Sequence, residues 1–109
     1  MKYVISILML LVSPHALSGK EHIALDKKIV TISTYETEAL VSFSPEFTNT
    51  QRCSQGASNL VAIDLTSAAG KHMLSTALAA ATAKKDVGFG IEGCLSGHYP
   101  KLYRIDVKF

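Results

Sequence analysis

The side chains able to do covalent or acid–base chemistry are few in this chain, and they stand apart. A serine nucleophile needs a histidine and a carboxylate within reach. Ser96 and His98 lie two residues apart, but neither sits in a nucleophile motif. His72 opens a helix-forming stretch and reads as a solvated residue, and His22 falls in a polar N-terminal stretch. Asp64, Glu92 and Asp106 each occur singly in strand-like runs. They are expected to face solvent or to pair with Arg104 and the lysines. A glycosidase would need two such carboxyls facing each other across a substrate, and their spacing does not single out a pair. A metal site needs several ligands at suitable spacing, and neither H-x-x-x-H nor C-x-x-C occurs. Gly88-Phe89-Gly90 lacks the lysine and helix that follow a phosphate-binding loop. No catalytic residue, metal ligand or cofactor is expected.

Two segments carry groups suited to recognition. Thr48 to Ser58 (TNTQRCSQGAS) offers Asn49, Gln51, Arg52, Ser54 and Gln55, small polar groups fitted to sugars or peptide backbone. Ser96 to Tyr99 adds His98 and Tyr99, whose ring could stack on a sugar. The candidate binding residues are therefore Arg52, Ser54, Gln55, His98 and Tyr99, and both segments also read as plain solvated loops. Single-stranded nucleic acid would call for interleaved basic and aromatic side chains. Only Phe89 and Tyr103 qualify as aromatics, and both fit a core better.

These groups must be carried by a small frame. The chain has 109 residues, enough for one domain. It opens with Met1-Lys2-Tyr3, followed by an apolar run from Val4 to Val12 in which only Ser6 is polar. That pattern is a signal h-region, too short for the roughly 20 residues of a membrane span. Pro14 follows, and Ala16 and Ser18 have the small-residue spacing of a cleavage site, so cleavage is expected after Ser18. Residues 1–18 then form a signal peptide, 19–28 a loose polar arm and 29–109 the folded domain. Removing the leader takes away Lys2 alone among the charges, leaving ten basic and nine acidic residues. A near-neutral surface argues against electrostatic capture of nucleic acid or anionic membrane. The expected location is secreted or periplasmic.

Cys53 and Cys94 are the two cysteines. In an oxidising compartment an even count in a small domain points to a bridge. Such a bridge closes a loop of about 42 residues, worth about 4 kcal/mol in the chain-entropy model. Two free thiols are the alternative.

Local composition gives the element order. Ile29 to Tyr35 (IVTISTY) is rich in β-branched residues and reads as a strand, and 38–44 alternates as a second strand paired with it. Pro45 to Asn59 has loop composition. Leu60 to Leu65 reads as a buried strand. Lys71 to Lys85 is made of helix formers, with Leu74, Ala77, Leu78 and Ala81 on one face, Ser67 as the cap, and Lys84 and Lys85 in the last turn. Val87 to Cys94 alternates as a strand, with Gly88 and Gly90 marking places where a neighbour needs room. Leu95 to Lys101 is a hairpin loop. The last strand puts Tyr103, Ile105, Val107 and Phe109 on one face, with Arg104, Asp106 and Lys108 on the other. The order β-β-β-α-β-β indicates an α+β, mostly β domain: a small five-stranded OB-like antiparallel barrel with one helix.

The run from CSQGASNLVAIDL through KHMLSTALAAATAKKDVGFGIEGC to YPKLYRIDVKF resembles the OB-type B subunits of bacterial AB5 toxins. The nearer analogues are the B subunits of subtilase cytotoxin and of pertussis-like toxins. It also resembles small exported proteins of Gram-negative bacteria. The resemblance covers residues 29–109. It implies a non-enzymatic, glycan-binding subunit that assembles into rings, and no sugar-binding residue of that group is carried over onto a position here. The expectation is thus an exported binding module for a glycan or protein partner, with self-association through strand edges and the helix in view. The alternative is a periplasmic structural or inhibitory protein that docks on one protein partner without a small ligand.

Overall fold

The computed structural model describes residues 19–55 and 58–109. The apolar leader and its cleavage position lie outside the described residues. The elements are β1 (Glu21–Thr34), β2 (Glu38–Ser44), β3 (Leu60–Asp64), α1 (Ala68–Thr82), β4 (Val87–Leu95) and β5 (Tyr99–Val107). The strands close into a ring in the order β1-β2-β3-β5-β4. The order of elements, the α+β class and the single helix between the third and fourth strands are as the sequence predicts.

The ring is mixed rather than wholly antiparallel. β3 meets β5 in parallel, at Ala62↔Lys101, while the other four pairings are antiparallel. The reason is topological. Strand directions cannot alternate all the way round a closed ring of odd number, so one neighbouring pair must run the same way.

The first strand differs most from expectation. Residues 19–28 are not a loose arm: β1 begins at Glu21. Its first half pairs with β4 (Glu21↔Ile91, Ile23↔Phe89, Lys27↔Val87) and its second half with β2 (Ile29↔Phe43, Thr34↔Ala39). Polar composition hid this strand, because only Ile23 and the stem of Lys27 point inward there. The Lys27 ammonium reaches the exposed Asp26 carboxylate at 2.8 Å. Gly88 makes the irregular β1–β4 register possible. A Cβ at Gly88 would stand 2.8 Å from the Ile23 carbonyl oxygen, so the backbone of β1 occupies the space a side chain would need.

The core lies inside the ring. Phe43 stacks on Phe89 with centroids 4.2 Å apart, and Phe47 meets Phe89 edge-on at 5.0 Å. Val41, Val61, Ile63, Val87, Ile91 and Leu102 complete it. Tyr103 departs from its expected face. A register shift between Gly90 and Ile91 moves it outward, and its ring covers Gly90, where a Cβ would lie 2.6 Å from ring carbons. Phe109 lies beyond β5 and is 99% exposed.

The helix runs from Ala68 to Thr82, three residues earlier than predicted at each end. Ser67 caps it as expected, its hydroxyl accepting from the Gly70 amide at 3.0 Å. Gly70 is helical and buried, because the first turn presses on β3: a Cβ there would sit 1.7 Å from the Asp64 carbonyl oxygen. That contact rotates the helix. Gly70, Ala77 and Ala80 are buried, whereas Leu78, expected on the inner face, is 49% exposed. Lys84 and Lys85 lie past the end, and Lys84 has φ 55°. A groove of about 370 Å³ lies between the C-terminal half of α1 and the end of β5, lined by Ala79, Ala83, Val107 and Phe109 among others. Among the described residues no helix is long and apolar enough to cross a membrane.

Candidate functional site

β2 and β4 run in the same direction, since each is antiparallel to β1. The β2–β3 loop and the β4–β5 hairpin therefore emerge at one end of the ring, beside the start of β1. These are the two segments whose composition suggested recognition, and the fold brings them together.

The Cys53–Cys94 disulfide joins them, with Cα atoms 5.7 Å apart. Backbone pairing reinforces it: the Ser54 amide donates to the Gly97 carbonyl at 2.9 Å and the Gln55 amide to the His98 carbonyl at 2.8 Å. The Ser54 hydroxyl lies 3.1 Å from Nδ1 of His98. The hairpin is shaped by a tight turn in which the His98 amide donates to the Leu95 carbonyl at 3.0 Å. Ser96 and Gly97 have φ 53° and 77°, the positive values that a type I′ turn demands at both central positions. The hairpin is tighter than predicted, because strand pairing runs through Leu95↔Tyr99.

Gln51 is the hub beneath this surface. It is only 5% exposed. Its Oε1 accepts from the Gly93 amide at 2.8 Å, and its Nε2 donates to the Gly19 carbonyl at 3.0 Å and to the Thr50 hydroxyl at 3.2 Å. Its own amide donates to Asn49 Oδ1 at 3.0 Å. One side chain thus ties the loop to β4 and to the start of β1. The Thr50 hydroxyl also donates to the Glu21 carboxylate. Sequence reading placed Gln51 among ligand-facing groups. Its role shows only after folding, because a buried glutamine and a solvated one look alike in a polar loop.

Of the five candidate residues, Ser54, Gln55 and His98 are exposed and adjacent. Arg52 is exposed with φ 55°, a left-handed conformation that costs an ordinary residue about 1–2 kcal/mol. It is held there between buried Gln51 and bridged Cys53. Tyr99 is half-buried at the base of the hairpin. His98 contacts Ser54 rather than Ser96, and among the described residues no carboxylate hydrogen-bonds to its ring. Among the described residues no cluster of three or more histidine, cysteine or carboxylate side chains could hold a metal ion.

A second polar group lies on the outer face of β1, β4 and β5. His22 Nε2 lies 3.0 Å from one oxygen of Asp106, and Arg104 Nε donates to the other at 2.9 Å. The His22 contact first, and Arg104 second, hold the Asp106 carboxyl below its usual range. The Lys20 ammonium stands 5.1 Å from the centroid of the Tyr103 ring. The pairing of Asp106 with Arg104 is as expected, and that of His22 follows from β1 starting early. Asp64 is instead held low by its own turn, accepting from the Thr66 hydroxyl and amide.

No protein-family model, no curated protein and no solved structure matches the chain.

Proposed function

We propose that this chain is an exported, non-enzymatic binding module, similar in role to the B subunits of bacterial AB5 toxins, which recognises a glycan or protein partner with its loop end. One observation carries the reading. Two loops distant in sequence are fixed to each other by a disulfide, two backbone hydrogen bonds and the buried Gln51, and together they present Arg52, Ser54, Gln55 and His98 outward. Such fixing favours recognition, because a surface ordered before contact loses less conformational entropy on binding. The Ser54–His98 contact belongs to that loop-to-loop tie. The Cys53–Cys94 bridge supports the exported reading, since disulfides persist in secreted and periplasmic proteins.

The second reading is a periplasmic structural or inhibitory protein docked on one protein partner. It is favoured by the placing of the 370 Å³ groove, none of whose lining residues belongs to either loop. Screening the oxidised protein on a glycan array separates the two. Defined glycan hits that Arg52→Ala, Gln55→Ala or Tyr99→Ala weaken by about 10-fold or more, or about 1.4 kcal/mol, support the first. A folded protein that binds no glycan favours a protein partner, and the second reading then requires that Arg52→Ala and Gln55→Ala leave binding of that partner unchanged. Turnover of any glycan or peptide on the array that is abolished by His98→Ala would sink the non-enzymatic reading.

A further inference from the structure

The groove between α1 and the end of β5 shares no residue with the loop end. It runs along α1 from Thr76 to Ala83, two turns of helix or about 10 Å. Ala79, Ala80 and Ala83 form one wall, and Val107 and Phe109 the other. Helix and strand meet there through alanines, whose side chains leave the space beside Val107 open. The remaining lining residues, Thr76 and Lys85, are polar. The Thr76 hydroxyl is spent within the helix, donating to the His72 carbonyl at 3.2 Å. Lys85 is half-buried, and among the described residues its ammonium has no hydrogen bond or ion pair. The neighbouring Asp86 carboxylate is taken by Lys28. Lys84, exposed, adds a second cation just past the end of the helix. The groove is thus apolar along its length and positive where the helix stops.

Size and charge together select the occupant. A volume of about 370 Å³ lies low in the range of small-molecule pockets, roughly 300–1,000 Å³. At the roughly 30 Å³ that a water molecule takes in the liquid, it holds about a dozen such groups, the size of a fatty acid of about ten carbons. A carboxylate drawn against apolar walls needs a partner, and the unpaired Lys85 ammonium supplies one. We propose that this groove binds a single-chain carboxylic amphiphile of medium length, its chain against Ala79, Ala83 and Val107 and its carboxylate at Lys85. The proposal does not depend on what the loop end binds, and it gives to a small ligand the groove that a docked protein would otherwise occupy.

Amide NMR spectra of the purified, oxidised protein, titrated with decanoate below its micelle-forming concentration, test it. Saturable shifts are expected at Ala79, Ala83 and Val107, with Ser54 and Gln55 unmoved. Octanoate, two methylenes shorter, should bind about 10-fold more weakly, as the loss of two buried methylenes requires. Decyltrimethylammonium, the same chain with a cationic head, should bind at least about 10-fold more weakly than decanoate. Lys85→Glu should raise the decanoate Kd by about 10-fold or more, the scale of a hydrogen bond to a charged group. Ala79→Trp, at an exposed position, fills the groove and should abolish the shifts with circular dichroism unchanged. The absence of saturable shifts up to millimolar decanoate overturns the proposal. So does equal binding of decanoate and the ammonium, or binding indifferent to Ala79→Trp. Groove shifts on concentrating the protein alone would overturn it in favour of a second copy, and saturation by an acidic amphipathic peptide but not by decanoate would overturn it in favour of a protein partner.

Discussion

Gln51 shows how much a single buried polar side chain can organise. Four hydrogen bonds converge on it, three at its side-chain amide and one at its backbone N–H. Gln51→Ala would strand the Gly93 amide in a partly buried position, and leaving a buried donor unpaired costs about 1–3 kcal/mol. Chemical denaturation should show that loss, and amide exchange at Ser54 and Gln55 should quicken with it. Asp106 predicts a pH effect whose sign follows from its lowered pKa. The folded state holds its carboxylate below the ordinary value of about 3.9. Its contribution to stability is therefore complete above that ordinary value and is lost as pH falls through the folded value. Asp64 and Asp86 are lowered too and act in the same window. In acid titrations followed by circular dichroism, Asp106→Asn should lower stability at pH 7 and flatten the decline below about pH 4. An unchanged acid limb would show that the His22–Asp106–Arg104 group contributes nothing to folding.

At the scale of elements, the contact between α1 and β3 fixes the helix. Helix-forming composition and the Ser67 cap were legible in the sequence, and both hold. On the expected inner face Ala77 is buried and Leu74 packs against the core, while Leu78 is turned out to solvent. Gly70 wins over Leu78 because it alone lets the first turn reach the Asp64 carbonyl. Gly70→Ala should therefore destabilise the protein even though alanine is the better helix former by about 1 kcal/mol. A Cβ at 1.7 Å from backbone cannot be accommodated without moving the helix, and core overpacking of this kind costs about 1–3 kcal/mol. A melting temperature at or above that of the parent would contradict this account. The same logic makes Gly90 a partner of Tyr103 rather than a flexible joint.

For the whole molecule, the decisive tie is the one between Cys53 and Cys94, which closes a long loop across the open end of the ring. Replacing both by alanine should cost about 4 kcal/mol, read as a lower denaturation midpoint. The loop pairing at Ser54 and Gln55 should loosen before the ring does, since the bridge lies at their level while Phe43, Phe47 and Phe89 pack within the ring. A global transition with no earlier loosening of these loops would mean that Gln51 alone holds them. What the sequence by itself determined is what depends on neighbours along the chain: the order of strands and helix, the Ser67 cap, a hairpin between the last two strands, and two cysteines suited to one bridge. Tertiary structure decided what depends on neighbours in space. It made residues 21–28 a strand because β4 was there to pair with them. It made one pairing parallel because a closed ring of five strands cannot alternate throughout. And it set Ser54 and Gln55 against His98, since only closure of the ring brings the β2–β3 loop against the β4–β5 hairpin.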